Sequence, residues 1–75
     1  MQDLIKYIAT SLVDDPAAVE VNVRQQRGET RIELTVADED MGRVIGRGGR
    51  VANAMRSLLR VAASRRGSRA TLDIV

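Results

Sequence analysis

A short run rich in glycine, Gly46-Arg47-Gly48-Gly49, is the part of this 75-residue chain best suited to holding an anion. Glycine lacks a Cβ atom, so the backbone can turn sharply there and another backbone can approach it closely. Arg43, Arg47 and Arg50 bring three guanidinium groups to the same stretch, and guanidinium groups form paired hydrogen bonds with phosphate. A helix starting after Gly49 would point its N–H groups toward the run. These features predict a site for a phosphate chain.

Two nucleotide-binding motifs do not fit this run. A Walker A loop needs lysine and then serine or threonine after its last glycine, whereas Arg50 and Val51 follow Gly49. A dinucleotide-binding loop needs its third glycine at the position of Val51, and it should follow a strand. The residues before Gly46 have the pattern of a helix instead, so both motifs are excluded.

The composition argues against an enzyme. The chain contains no histidine and no cysteine, which removes the commonest general base, the commonest metal ligands and any disulfide. The remaining candidates for catalysis are Asp38, Glu39 and Asp40, and their position before a predicted helix explains them as helix-capping residues. We therefore expect no catalytic residue, no metal site and no cofactor.

The charges are divided unevenly along the chain. Residues 1–40 hold four basic and nine acidic side chains, whereas residues 41–75 hold eight arginines and one acid, Asp73. Eleven of the twelve cations are arginine, which binds phosphate and stacks on bases better than lysine does. A GC-rich genome would also favour arginine, but it would not segregate the charges. The pattern predicts a polyanionic partner.

The N-terminal half has the pattern of a helix followed by a hairpin. Residues 2–13 are predicted to form the helix, and Pro16 prevents it from continuing. Apolar and polar residues alternate over residues 19–24 and 31–36, which predicts two strands joined through residues 26–29 by a loop longer than two residues. The apolar stripe expected on the helix comprises Leu4, Ile5, Ile8 and Leu12.

The C-terminal half is predicted to hold two helices and a third strand. Asp38 is expected to cap a short helix that Gly46 ends, and a longer helix is expected from Gly49 to about residue 66, with Gly67 as its C-cap. Residues 70–74 alternate as a strand does. The apolar face expected on the long helix comprises Val51, Ala52, Met55, Leu58, Leu59, Ala62 and Ala63.

The order helix–strand–strand–helix–helix–strand predicts an α/β fold of the α+β kind. It is a two-layer sandwich with a three-stranded sheet and helices packed on one face, in a single domain of residues 1–75. A right-handed crossover would make the second and third strands parallel neighbours. The first residues have no signal-peptide pattern and no membrane span follows them, so we expect a cytoplasmic protein.

Ile45-Gly46-Arg47-Gly48-Gly49 resembles the Ile-Gly-x-x-Gly signature of the KH domain, whose loop lies between two helices and clamps about four nucleotides of backbone. The order of elements resembles a type II KH domain, and residues 40–56 are similar to the small bacterial single-KH proteins of the KhpA type. This resemblance implies binding of single-stranded RNA, as an RNA chaperone or post-transcriptional regulator. It also implies a homodimer, or a heterodimer with a KH protein of the KhpB (Jag) type.

The resemblance also implies roles for particular residues. The loop Gly46, Arg47, Gly48 and Gly49 would hold the RNA backbone, and residues 31–35 would form the far wall of a groove for bases. The groove would be lined by Val44, Ile45, Ala52 and Met55, although core residues would show the same pattern. Further phosphate contacts are expected from Arg43, Arg50 and Arg56, although Arg56, like Arg60, could be part of a solvated helix face.

Tyr7 is the only aromatic residue. Stacking platforms for RNA bases need aromatic side chains on a sheet face. Recognition would therefore depend on backbone electrostatics, apolar contacts and hydrogen bonds, with a light grip from one domain.

A second surface is predicted on the long helix, where Ala54, Ser57 and Val61 lie roughly opposite the core face. Small residues around a valine would let two such helices pack closely. A single exposed valine would otherwise need no explanation. The small core and the family resemblance favour a homodimer here. The alternative function is a protein-interaction module that mainly pairs with another KH protein.

Overall fold

Three α-helices and a three-stranded sheet make up the structure, a computed structural model that describes all residues from 1 to 75. The predicted fold class and order of elements are confirmed. No helix combines the length and the apolar character needed to cross a membrane. The elements are α1 (Gln2–Leu12), β1 (Glu20–Gln26), β2 (Glu29–Thr35), α2 (Met41–Ile45), α3 (Arg50–Arg65) and β3 (Arg69–Ile74), with 3-10 turns at Pro16–Ala18, Asp38–Asp40 and Arg47–Gly49.

The strands lie in the order β1-β2-β3, so β2 is central and β1 and β3 are the edges. β1 and β2 are antiparallel, with Val23 opposite Ile32. β2 and β3 are parallel, with Ile32 opposite Leu72, as the crossover rule predicted. The apolar residues of each strand share one face, which the helices cover, and the other face is polar and open.

The hairpin turn is shorter than predicted. Pairing continues to Gln26 opposite Glu29, which leaves only Arg27 and Gly28 in the turn. Both residues have positive φ, 40° at Arg27 and 79° at Gly28, which is the combination required by a type I′ turn. The expectation of a longer loop was wrong because arginine is an unusual residue at positive φ, and nothing in the sequence marks Arg27 for it.

The core lies between the sheet and the helices, but the helices bury narrower faces than their sequences suggested. From α1 only Ile5 and Ala9 are fully buried, whereas Leu4 and Leu12 are exposed. Leu58, predicted to be a core residue, is also exposed. The core cluster comprises Ile5, Ala9, Val19, Ile32, Leu34, Val36, Val44, Met55, Leu59, Ala63, Ala70 and Leu72.

The end of α3 directs the chain into β3. Gly67 has a φ of 68° and follows the last turn of the helix. The N–H of Ser68 donates to the carbonyl of Ala63 at 2.9 Å, and the N–H of Gly67 donates to the carbonyl of Ser64 at 3.1 Å. These bonds form a Schellman motif, so the prediction that Gly67 ends this helix is confirmed.

Candidate nucleic-acid interface

The glycine loop, residues Gly46–Gly49, joins α2 to α3 with backbone angles that other residues resist. Gly46, Gly48 and Gly49 have φ values of 76°, 65° and 81°. The loop also lies tightly against the first turn of α3, because a Cβ atom added to Gly46 would lie 2.6 Å from Cγ2 of Val51. The result is a tight loop at the start of a sixteen-residue helix, in which Arg47 carries the only side chain beyond Cα.

The loop end of α3 is electropositive. No side chain caps this helix N-terminus, and the helix dipole adds partial positive charge there. Arg47 and Arg50 are exposed beside it, and neither is part of any ion pair in the structure. Backbone N–H groups and free guanidinium groups are the groups that bind phosphate.

A groove lies between α3 and the edge strand β3, and Asn53 at its near end is close to the glycine loop, because a Cβ atom added to Gly49 would lie 3.6 Å from Nδ2 of Asn53. The guanidinium group of Arg56 spans it, because Nε donates to the carbonyl of Leu72 at 3.2 Å and Nη1 donates to Oδ1 of Asn53 at 3.1 Å. The groove has a volume of about 380 Å³. It is lined by Asn53, Arg56, Arg60, Ala70, Thr71 and Leu72.

Comparison with known proteins places this chain in a family. The family described as "KhpA/KhpB, KH domain" matches residues 2–74. The chain belongs to the KhpA/KhpB family of KH domains. The RNA-binding protein KhpA of Caldanaerobacter subterraneus subsp. tengcongensis is 48% identical over 75 residues, which cover all of both chains.

Two further relatives are also named RNA-binding protein KhpA. The protein of Halalkalibacterium halodurans is 43% identical over 100% of this chain and 99% of its own length. The protein of Clostridium perfringens is 40% identical over the whole of both chains. The resemblance to KhpA-type KH proteins that the sequence predicted is therefore confirmed.

The groove of this KhpA/KhpB domain has a different far wall from the one predicted. Residues 31–35 lie in β2, which is the central strand and is separated from the groove by β3. The free edge of β3 forms the wall instead, with the carbonyl of Leu72 turned toward α3. The expectation was wrong because the sequence shows which strands form but not which one lies at the edge.

Most of the apolar residues predicted to line the groove are core residues. Val44, Ala52 and Met55 are fully buried, so they support the loop and the groove from beneath. Ile45 alone reaches the surface, with 37% of its area exposed. The exposed lining is more polar than expected. Asn53 was missed and Arg60 was assigned to a solvated face, although positions 53, 56 and 60 share one side of a helix.

Arg43 is engaged away from the loop. Its Nη2 lies 2.9 Å from Oδ2 of Asp14, and its Nε lies 3.5 Å from Oδ1 of Asp40. Asp40 is only 2% exposed and accepts hydrogen bonds from the N–H groups of Asp14 and Asp15, both at 3.1 Å. This arrangement ties the segment after α1 to the start of α2, and so it positions the glycine loop.

The acidic residues before α2 therefore have a different role from the one predicted. Asp38 does not cap the helix, because Asp38–Asp40 form a separate 3-10 turn with no side-chain cap. Asp40 satisfies backbone groups 25 and 26 positions earlier in the chain. Nowhere in the domain do three or more His, Cys, Asp or Glu side chains converge as a metal site would require.

Proposed function

We propose that this chain binds single-stranded RNA without catalysing a reaction. The glycine loop would clamp the sugar–phosphate backbone, and the next nucleotides would lie in the groove between α3 and β3. The supporting observation is the set of three positive-φ glycines in the loop, beside the uncapped start of α3 and the unpaired side chains of Arg47 and Arg50. RNA is favoured as the ligand because the relatives are named RNA-binding proteins.

The groove offers hydrogen-bonding groups rather than stacking surfaces. The N–H groups of Arg69 and Val75 pair with β2, so the alternate residues Ala70, Leu72 and Ile74 turn their backbone groups toward the free edge. Arg56 occupies the carbonyl of Leu72. The other edge groups and the amide of Asn53 are available to base edges.

We expect the affinity of one domain for RNA to be weak. The loop carries one cation, Arg47, and the only aromatic residue, Tyr7, lies on α1. Binding by phosphate contacts without aromatic stacking favours fast release and little sequence preference. These properties suit an RNA chaperone or a post-transcriptional regulator, which is the role we propose.

Binding to single-stranded RNA is expected to weaken steeply with salt, because each phosphate contact releases condensed counterions. Three to four contacts would give a slope of about −2 to −3 in a plot of log K against log salt. Fluorescence anisotropy with a labelled RNA over a salt series measures this slope, and unlabelled single-stranded DNA of the same sequence is the competitor. An affinity independent of salt would contradict phosphate clamping.

A second candidate function is self-association through α3, and it is favoured by the exposure of two apolar side chains. Leu58 is 47% exposed and Val61 is 56% exposed, and Ala54 and Ser57 are exposed on the same side of the helix. Positions 54, 58 and 61 recur at the spacing of a helix-packing seam. We propose this surface for a homodimer, or for a heterodimer with a KhpB (Jag) type protein.

Replacing Val61 with aspartate is expected to abolish this self-association, since it places a charge at the centre of the apolar seam. The molar mass measured by light scattering coupled to size-exclusion chromatography should change from that of a dimer to that of a monomer. Val75→Asp is the matched control, because Val75 is similarly exposed, at 61%, and lies outside α3. A wild-type protein that is monomeric at every concentration tested would remove this candidate.

A further inference from the structure

The open face of the sheet carries three arginines, Arg24, Arg31 and Arg69. Arg24 on β1 lies directly opposite Arg31 on β2, and like charges in that arrangement destabilise a sheet. Arg69 on β3 lies opposite Glu29, one row from Arg31. Arg24 lies 3.6 Å from Glu33, but no ion pair of the structure includes Arg31 or Arg69.

The hairpin turn holds another arginine in an unfavourable conformation. Arg27 is the only non-glycine residue with positive φ. The first position of a type I′ turn favours asparagine, aspartate or glycine, so arginine there costs stability. A backbone outlier of this kind is a reason to look for a function.

The end of α3 lies beside this turn. The N–H of Arg69 donates to the carbonyl of Gly28 at 2.9 Å, and Arg66 lines the same cleft as Arg27 and Ser68. Arg24, Arg27, Arg31, Arg66 and Arg69 thus gather at one end of the molecule, and we call them the hairpin-end cluster. Two strand carboxylates lie beside them, Glu33 next to Arg24 and Glu29 opposite Arg69, so the five arginines outnumber the acids.

The cluster and the glycine loop lie at opposite ends of α3, which spans roughly 24 Å at 1.5 Å per residue. Arg56 and Arg60 lie in the groove between them. The negative end of the helix dipole accounts for Arg66. It does not account for Arg27, Arg31 or Arg69, which belong to the turn and the sheet.

We propose that the hairpin-end cluster is a second phosphate-binding site, which holds the RNA strand where it leaves the groove. This proposal rests on the proposed function, because it extends the path that starts at the glycine loop. RNA is favoured over an acidic protein because the groove arginines lead from one site to the other. Phosphates would relieve the repulsion between Arg24 and Arg31.

The test is the triple variant Arg27→Asn, Arg31→Thr and Arg69→Thr, compared with the wild type on two RNAs. One RNA has about four nucleotides, the length that a KH loop clamps, and the other is about three times as long. Affinity for the long RNA should fall at least about tenfold, and its salt slope should become shallower by about 2. Affinity for the short RNA should stay within about twofold of the wild type.

The same variant should be as stable as the wild type or melt at a higher temperature. Asparagine and glycine suit the turn, and threonine suits exposed strand positions. A gain in thermal stability together with a loss of affinity would separate a binding role from a structural one. An unchanged affinity and salt slope on the long RNA would overturn the proposal.

Two controls separate local contacts from overall charge. Replacing the same three arginines with lysine keeps the charge and should keep the salt slope. The pair Lys6→Glu and Ala17→Asp lowers the net charge by the same three units at exposed positions on the α1 side. Equal losses in this control and in the triple variant, or equal losses on both RNAs, would also overturn the proposal.

The loop separates this inference from the proposed function. The loop variant is the double change Arg47→Asp and Gly48→Asp, which reverses the charge of the loop. If this variant loses binding to the short RNA while the triple variant binds the long RNA normally, only the proposal of a second site is wrong. If reversing the loop charge leaves both RNAs bound as tightly as before, the proposed function itself is wrong.

Discussion

The double change Arg47→Asp and Gly48→Asp is expected to lower RNA affinity by at least about 100-fold while the fold remains intact. The change removes the one cation of the loop and adds two negative charges where the phosphates would lie. A Cβ atom added at Gly48 would meet no atom within 4 Å. Aspartate tolerates the φ of 65° there at about 1 kcal/mol. Anisotropy with labelled RNA measures the affinity.

A neutral pair with the same shape isolates the effect of charge. Arg47→Asn with Gly48→Asn requires the same backbone angles but adds no negative charge, so its loss should be smaller, about tenfold. Circular dichroism and thermal melting should show both variants folded. Wild-type affinity in the aspartate variant would remove the glycine loop from the site.

Much of the fold could be predicted because its signals are local. The alternation of apolar and polar residues over β1, β2 and β3 predicts strands that are covered on one face, and Gly67 predicts the end of α3. The hairpin turn escaped prediction because Arg27 lacks the usual residue type for its conformation. Leu58 was assigned to the core because helical spacing gives the direction of the apolar face but not its width.

The candidate site was harder to predict than the fold, because its side chains are engaged by distant parts of the chain. Arg43 looked like a phosphate ligand beside the loop, yet Asp14, 29 positions earlier, pairs with it. Arg56 could be assigned to a phosphate or to solvent, whereas it bridges α3 to the edge of β3. Strand order decides the groove wall, and no local pattern reports strand order.

The glycine loop itself combines local and long-range constraints, and Gly46 shows both. Its φ of 76° and ψ of 168° lie in a region that only glycine adopts readily. An added Cβ would lie 2.6 Å from Cγ2 of Val51 and 2.8 Å from the Val51 nitrogen, which cannot move without shifting α3. The sequence shows that a glycine stands at this position. Only the packing shows that Gly46 is more tightly constrained than Gly48 and Gly49.

Replacing Gly46 with alanine is therefore expected to lower the free energy of unfolding by at least about 3 kcal/mol. The strain of the backbone and the clash with Val51 add in the same direction. A domain of this size has little stability to lose, so a substantial fraction should be unfolded without denaturant. Urea titration followed by circular dichroism measures the change.

Two other glycines provide matched controls for this change. Gly48 also has positive φ but open space around it, so Gly48→Ala should cost only about 1 kcal/mol. Gly42 lies in α2 without positive φ and with no close neighbour, so Gly42→Ala should stabilise by about 0.5 to 1 kcal/mol. If Gly46→Ala lowered the free energy of unfolding no more than Gly48→Ala does, backbone strain alone would explain the loss of stability. The close packing of the loop on α3 would then not be what positions it.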